Sequence, residues 1–61
     1  VTNSHEGHEF DYVLEGTMRL KVGEQEMIMN AGDSAYYDSI YPHAMQAVGD
    51  KTCVFLAMVI P

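Results

Sequence analysis

The sequence predicts an all-β fold, a small barrel or two-layer sandwich of short strands. Three observations carry that expectation. Turn-forming residues recur about every seven to nine positions, helix signals are scarce, and the segments between turns are alternating, β-branched or aromatic. The turns fall at Glu6-Gly7, Glu15-Gly16, Gly23-Glu24, Ala31-Gly32-Asp33, Asp38-Ser39, Tyr41-Pro42 and Gly49-Asp50. No internal repeat, linker or low-complexity stretch interrupts them.

Each element has its own reason. Thr17–Val22 alternates polar and apolar, the pattern of a half-buried strand with Met18, Leu20 and Val22 on its inner face. A short loop at Gly23-Glu24 joins it to Gln25–Met29 as a hairpin. Ser34–Tyr37 and Ala44–Val48 are further short strands. Thr52–Ile60 is apolar on both sides, with Cys53, Phe55, Ala57 and Val59 on one and Val54, Leu56, Met58 and Ile60 on the other. A strand apolar on both sides is normally covered on both sides. Phe10, Tyr12 and Leu14 likewise face away from Glu9, Asp11 and Val13. A single sheet of this length hardly covers both, so a second copy or residues outside the chain are expected to pack there.

Composition narrows the function. At 61 residues the chain is one domain, and a domain of about this size buries only about 60% of its unfolded surface, so partners or ligands commonly assist it. A single cysteine, Cys53, excludes an internal disulfide and reads as an inert thiol of the apolar run. Nine acidic against three basic residues leave a net charge of -6, which excludes sequence-independent binding to phosphate backbones. Cys53–Ile60, the longest apolar run, is too short to span a bilayer, and no basic-then-apolar leader is present. A cytoplasmic protein without membrane or direct nucleic-acid contact is expected. The chain opens at Val1, so we expect residues 1–61 to be the core of a larger domain, shortened at the N-terminus.

The chemistry concentrates in Asn3–Gly16. Residues two and four apart on a strand share a face, so Asn3, His5 and Glu9 align if the backbone stays extended through Gly7. Imidazole nitrogen and carboxylate oxygen suit zinc, iron, nickel or manganese. His43, after the Tyr41-Pro42 turn, completes a two-His-one-Glu set if the sheet closes. Read without closure, the same stretch is a solvated loop. Strand parity points His8 away from this set unless a bulge at Gly7 returns it. Asp11 shares the parity of Glu9; it sits either at a wet rim or beside Glu9, where two carboxylates raise one pKa unless a cation lies between them. Tyr36, Tyr37 and Tyr41 precede His43 and either close a pocket or pack the sheet, and Met45 shares the parity of His43.

His5–Gly16 resembles the first motif of the cupin superfamily. Glu9 is followed by six residues and Gly16, His5 matches the second His of the motif's pair, and Asn3 stands at the first. Gly32-Asp33 and Pro42-His43 resemble the second motif, in which Asp38, Ile40 and Ala47 depart from the usual Pro, Gly and Asn. The resemblance implies a cupin-type, jelly-roll-like β-barrel with His5, Glu9 and His43 as ligands of a divalent metal (Fe, Zn, Mn or Ni) and Asn3 as a weaker fourth. Asp11, Tyr37 and Met45 then line a small-molecule site, and a homodimer is expected. His5–Gly16 with Tyr36–Ser39 and Pro42–Met45 is similar to the C-terminal cupin domain of bacterial helix-turn-helix regulators, which implies a ligand-sensing module for transcriptional regulation. Two other functions fit the residues: a small metal-dependent dioxygenase or isomerase, in which Asp11 or a tyrosine moves protons, and a metal-free dimerising barrel.

Overall fold

The computed structural model of the chain describes the backbone of residues 2–3 and residues 6–61 in full. Seven strands follow one another: β1 (Thr2–Asn3), β2 (His8–Glu15), β3 (Thr17–Val22), β4 (Gln25–Asn30), β5 (Ser34–Asp38), β6 (His43–Ala47) and β7 (Val54–Ile60). They form two antiparallel sheets, ordered β1-β6-β3-β4 and β5-β2-β7, and there is no helix among the described residues. The expected all-β barrel is therefore the observed fold.

The alternation of β3 fixes the first sheet. Met18 and Leu20 are buried while Arg19 and Lys21 point to water. The hairpin turns at Gly23-Glu24 and pairs Val22 with Gln25 through Thr17 with Asn30. On its other side β3 takes β6, with Leu20 opposite Met45 and Val22 opposite His43. In the second sheet β2 is central, with Glu9 opposite Tyr37 of β5 and Val59 of β7. A bulge between Val13 and Glu15 shifts the β2–β7 register by one residue.

Val13, Met18, Leu20 and Met29 form the core where the sheets face each other, with Phe55, Met27 and Cys53 packed around it. Burial is concentrated on few residues, as expected for so short a chain. The turn between β4 and β5 is tied to β2 by backbone bonds: Val13 N–H donates to the Asp33 carbonyl at 3.0 Å, and Gly32 N–H donates to the Val13 carbonyl at 2.8 Å. Gly16 has φ +82, and a Cβ there would meet the Thr52 carbonyl at 2.6 Å, so this close turn demands glycine.

The backbone is not extended through Gly7. It bends there with φ +104, and β2 begins only at His8. The extended alignment of Asn3 with Glu9 thus gives way to a different arrangement: Asn3 is the register partner of His43 across β1 and β6. The parity expected of β2 is seen, whereas what covers its outer face is a separate matter. Phe10, Tyr12 and Leu14 face outward from β2, and most of β7 is exposed.

Candidate metal- and ligand-binding site

The site lies on the inner faces of both sheets, beside the apolar core, against which Tyr37 packs. β2 places Glu9 and Asp11 inward beside Val13, because two-residue spacing carries all three to one face. β5 places Tyr37 directly opposite Glu9. β6 supplies His43 from the facing sheet. Glu9, Asp11 and His43 are all buried, and Asp11 is 0% exposed.

Four contacts join them. The Tyr37 hydroxyl lies 2.7 Å from Glu9 Oε2 and 2.7 Å from Asp11 Oδ2. Glu9 Oε1 lies 3.4 Å from His43 Nε2. His43 Nδ1 lies 2.9 Å from the Tyr41 carbonyl oxygen. A carbonyl can only accept, so Nδ1 carries the proton and Nε2 of a neutral ring presents its lone pair to Glu9. The Tyr37 ring meets the His43 ring edge-on, with centroids 5.2 Å apart.

The electrostatics follow from burial. Desolvation pushes the Asp11 carboxyl up to about 7; the neighbouring Glu9 adds to the rise and the Tyr37 hydroxyl opposes it. The same burial, with two carboxylates beside it, drives the Tyr37 phenol far above its usual range. One phenolic proton cannot bond both carboxylates as a full donor. A second proton on Asp11, donated to the Tyr37 oxygen, lets Tyr37 donate onward to Glu9. No lysine or arginine offsets the two acids, since Arg19, Lys21 and Lys51 are all exposed.

These placements bear on the metal implied by the sequence. Glu9 and His43 present an oxygen and a nitrogen to each other at 3.4 Å, a separation that accommodates a proton or a metal cation. The Tyr41 carbonyl on Nδ1 is the outer-shell partner that ligating imidazoles commonly have. The donor chemistry fits a divalent metal. Among the described residues, however, no group of three or more His, Cys, Asp or Glu is set to hold one. His5, the expected third ligand, lies outside the described residues, and only the backbone of Asn3 is described.

The remaining sequence candidates divide. Tyr37 is inside, whereas Tyr36 and Tyr41 are exposed. His8 points outward and stacks on Tyr36 with centroids 5.5 Å apart, so it stays away from Glu9 as parity predicts. Met45 packs against the apolar core. A cleft of about 620 Å³ opens beside Tyr37, Tyr41 and Val22, and a smaller one of about 140 Å³ beside His43 and Pro42. Sequence reasoning missed Ser39, which is fully buried and whose Oγ, like Asp11 Oδ1, lacks a hydrogen-bond partner among the described residues. Its parity with Tyr37 was the available signal.

The family model described as Cupin domain matches residues 1–59. The chain belongs to the cupin domain family, whose members often bind metals or small molecules. Comparison with curated proteins and comparison with solved structures each give no match. No helix among the described residues is long and apolar enough to cross a membrane.

Proposed function

We propose that the chain is a metal- and small-molecule-binding module in which Glu9, His43 and His5, with Asn3 as a weaker fourth donor, hold a divalent transition metal. The observation that carries this reading is the His43–Glu9 pair, with its proton fixed on the Tyr41 side and its donor atoms 3.4 Å apart. A bound metal supplies a Lewis-acidic position for a ligand oxygen or nitrogen. Tyr37 and Asp11 fix the Glu9 carboxylate, and the cleft beside Tyr37 admits the ligand. The module senses a small molecule for a cytoplasmic bacterial transcriptional regulator and acts as a homodimer. Its net charge of -6 supports a part that leaves DNA contact to other segments.

The hydrogen-bonded Asp11–Tyr37–Glu9 chain favours one alternative, a metal-dependent dioxygenase or isomerase in which these groups move a proton. Elemental analysis of untagged protein tests the metal. The wild type is expected to hold about one equivalent of metal, and His43→Ala to lose it while keeping its sheet circular-dichroism signal. Full retention of metal in His43→Ala would falsify the ligand set. Under the enzyme reading, the loaded protein consumes oxygen or isomerises a substrate; under the sensing reading it binds and releases its ligand unchanged.

A further inference from the structure

We propose that the ligand taken by the cleft beside Tyr37 is an organic ammonium ion with an apolar body, its charged head held by the Glu24 and Asp38 carboxylates and the Tyr41 ring. The proposal rests on the small-molecule-binding reading above and names the chemical class that this cleft selects. The cleft measures about 620 Å³, within the range of small-ligand sites, and its wall combines Glu24, Gln25 and Asp38 with Val22, Tyr37 and Tyr41.

Charge selects the sign of the ligand. Glu24 and Asp38 are exposed acids, and no basic residue stands in the wall beside them. The three basic residues of the chain lie elsewhere. Arg19 faces Glu26 at 3.7 Å on the outward side of β3, Lys21 points outward from the same strand, and Lys51 lies before β7. An anion entering the cleft meets no counter-charge, whereas a cation is drawn to it by a chain of net charge -6.

Hydrogen bonding agrees with charge. An anionic ligand needs donors, and an ammonium needs acceptors. Donors of the wall are already engaged: Gly23 N–H donates to the Pro42 carbonyl at 2.8 Å, Tyr41 N–H donates to the Asp38 carbonyl at 3.4 Å, and the Tyr37 hydroxyl is held by Glu9 and Asp11 at 2.7 Å each. Acceptors remain. Asp38 gives Oδ1 to the Ile40 N–H at 3.1 Å and keeps its second oxygen, and the Glu24 side chain is exposed. Ser39, next to Asp38, is fully buried and shares the inward parity of Tyr37, and its Oγ has no partner among the described residues. An unmet buried hydroxyl costs free energy, which a head group reaching it recovers. Tyr41 is 56% exposed, so its ring face is open to a cation, while Val22 and Tyr37 receive the apolar body.

Calorimetric titration of the protein as purified with three probes of one skeleton tests this: phenethylammonium, 2-phenylethanol and 3-phenylpropionate. The ammonium is expected to bind at least about tenfold more tightly than the acid, with the alcohol between them. Glu24→Gln/Asp38→Asn keeps an amide oxygen for the Ile40 N–H and should weaken ammonium binding about three- to tenfold. Tyr41→Leu keeps the backbone carbonyl that holds His43, and should cost the ammonium about two- to fivefold while sparing the alcohol. All three positions are exposed, and circular dichroism checks the fold. Should the double variant misfold, Glu24→Gln alone and Tyr41→Leu decide the question. Equal affinity for the three probes, a preference for the acid, or an ammonium affinity that these variants leave intact overturns the proposal. Binding of none of the three overturns it as well. The metal content of the same samples separates the two readings: a metal-loaded protein that fails these tests loses the ammonium alone, and one that binds no probe and holds no metal loses the reading above with it.

Discussion

The two faces of β2 invert the usual rule. Its inner face buries two acids, Glu9 and Asp11, next to one valine, while its outer face leaves Tyr12 and Leu14 exposed. Burying charge is costly and exposing large apolar groups forgoes hydrophobic stabilisation, so both faces cost a marginal 61-residue fold. The difference lies in how each cost is offset. The inner face is answered within the chain, by the Tyr37 hydroxyl and by His43 across the barrel. Among the described residues the outer face has no such answer. The inside of this strand is therefore where its polar chemistry is concentrated, and its outside is the apolar face left open.

The largest expected effect that breaks this comparison is at Asp11. Its folded pKa of about 7 stands above the unfolded value of 3.8. Between those values the folded chain binds more protons than the unfolded one, so stability falls as pH rises. In metal-free protein, thermal melts should show the Asp11 contribution intact below about pH 4, declining towards pH 7 and gone above it. Asp11→Asn should flatten that slope and be the more stable protein at pH 8, by up to a few kcal/mol. Equal pH slopes for the two proteins would show that Asp11 is ionised throughout and that its burial has another compensation.

Much of this arrangement was legible in the sequence, for physical reasons. The period of two in Thr17–Val22 gave the β3–β4 hairpin and its inner face, and the same parity placed Glu9, Asp11 and Val13 together and His8 apart. Strand ends moved by a residue or two: β5 extends to Asp38, β6 starts at His43, and β7 starts at Val54. What parity cannot supply is cross-strand register. The bridging of two carboxylates by Tyr37 depends on Tyr37 standing opposite Glu9, and nothing local to either segment encodes that. The bend at Gly7 was visible as a turn signal, yet the shared face assumed an extended chain there. The role of the Tyr41 carbonyl was hidden because it is a backbone group, although Pro42 marks the turn that aims it.

A smaller effect sharpens the inner half of the comparison. Tyr37→Phe removes the hydroxyl that holds Glu9 Oε2 while keeping the ring against His43. Loss of such an outer-shell partner typically weakens metal affinity about 10- to 100-fold. Calorimetric titration with a divalent metal should show that loss in Tyr37→Phe, with Glu9 and His43 unchanged. An unaltered affinity would mean that Tyr37 serves the carboxylates and not the metal.

The smallest effect belongs to the outer face. Leu14 is 47% exposed, and although it sits at the β2 bulge its φ is not positive, so serine fits the same backbone. Exposed substitutions that bring no backbone strain usually change stability by less than about 0.5 kcal/mol. Leu14→Ser should therefore leave the urea midpoint of dilute, dissociated protein nearly unchanged, whereas Val13→Ala, one residue away on the buried face, should lower it clearly. If Leu14→Ser proved as damaging as Val13→Ala under those conditions, the outer face would already be packed within the single chain. The contrast between the two sides of β2 would then have to be given up.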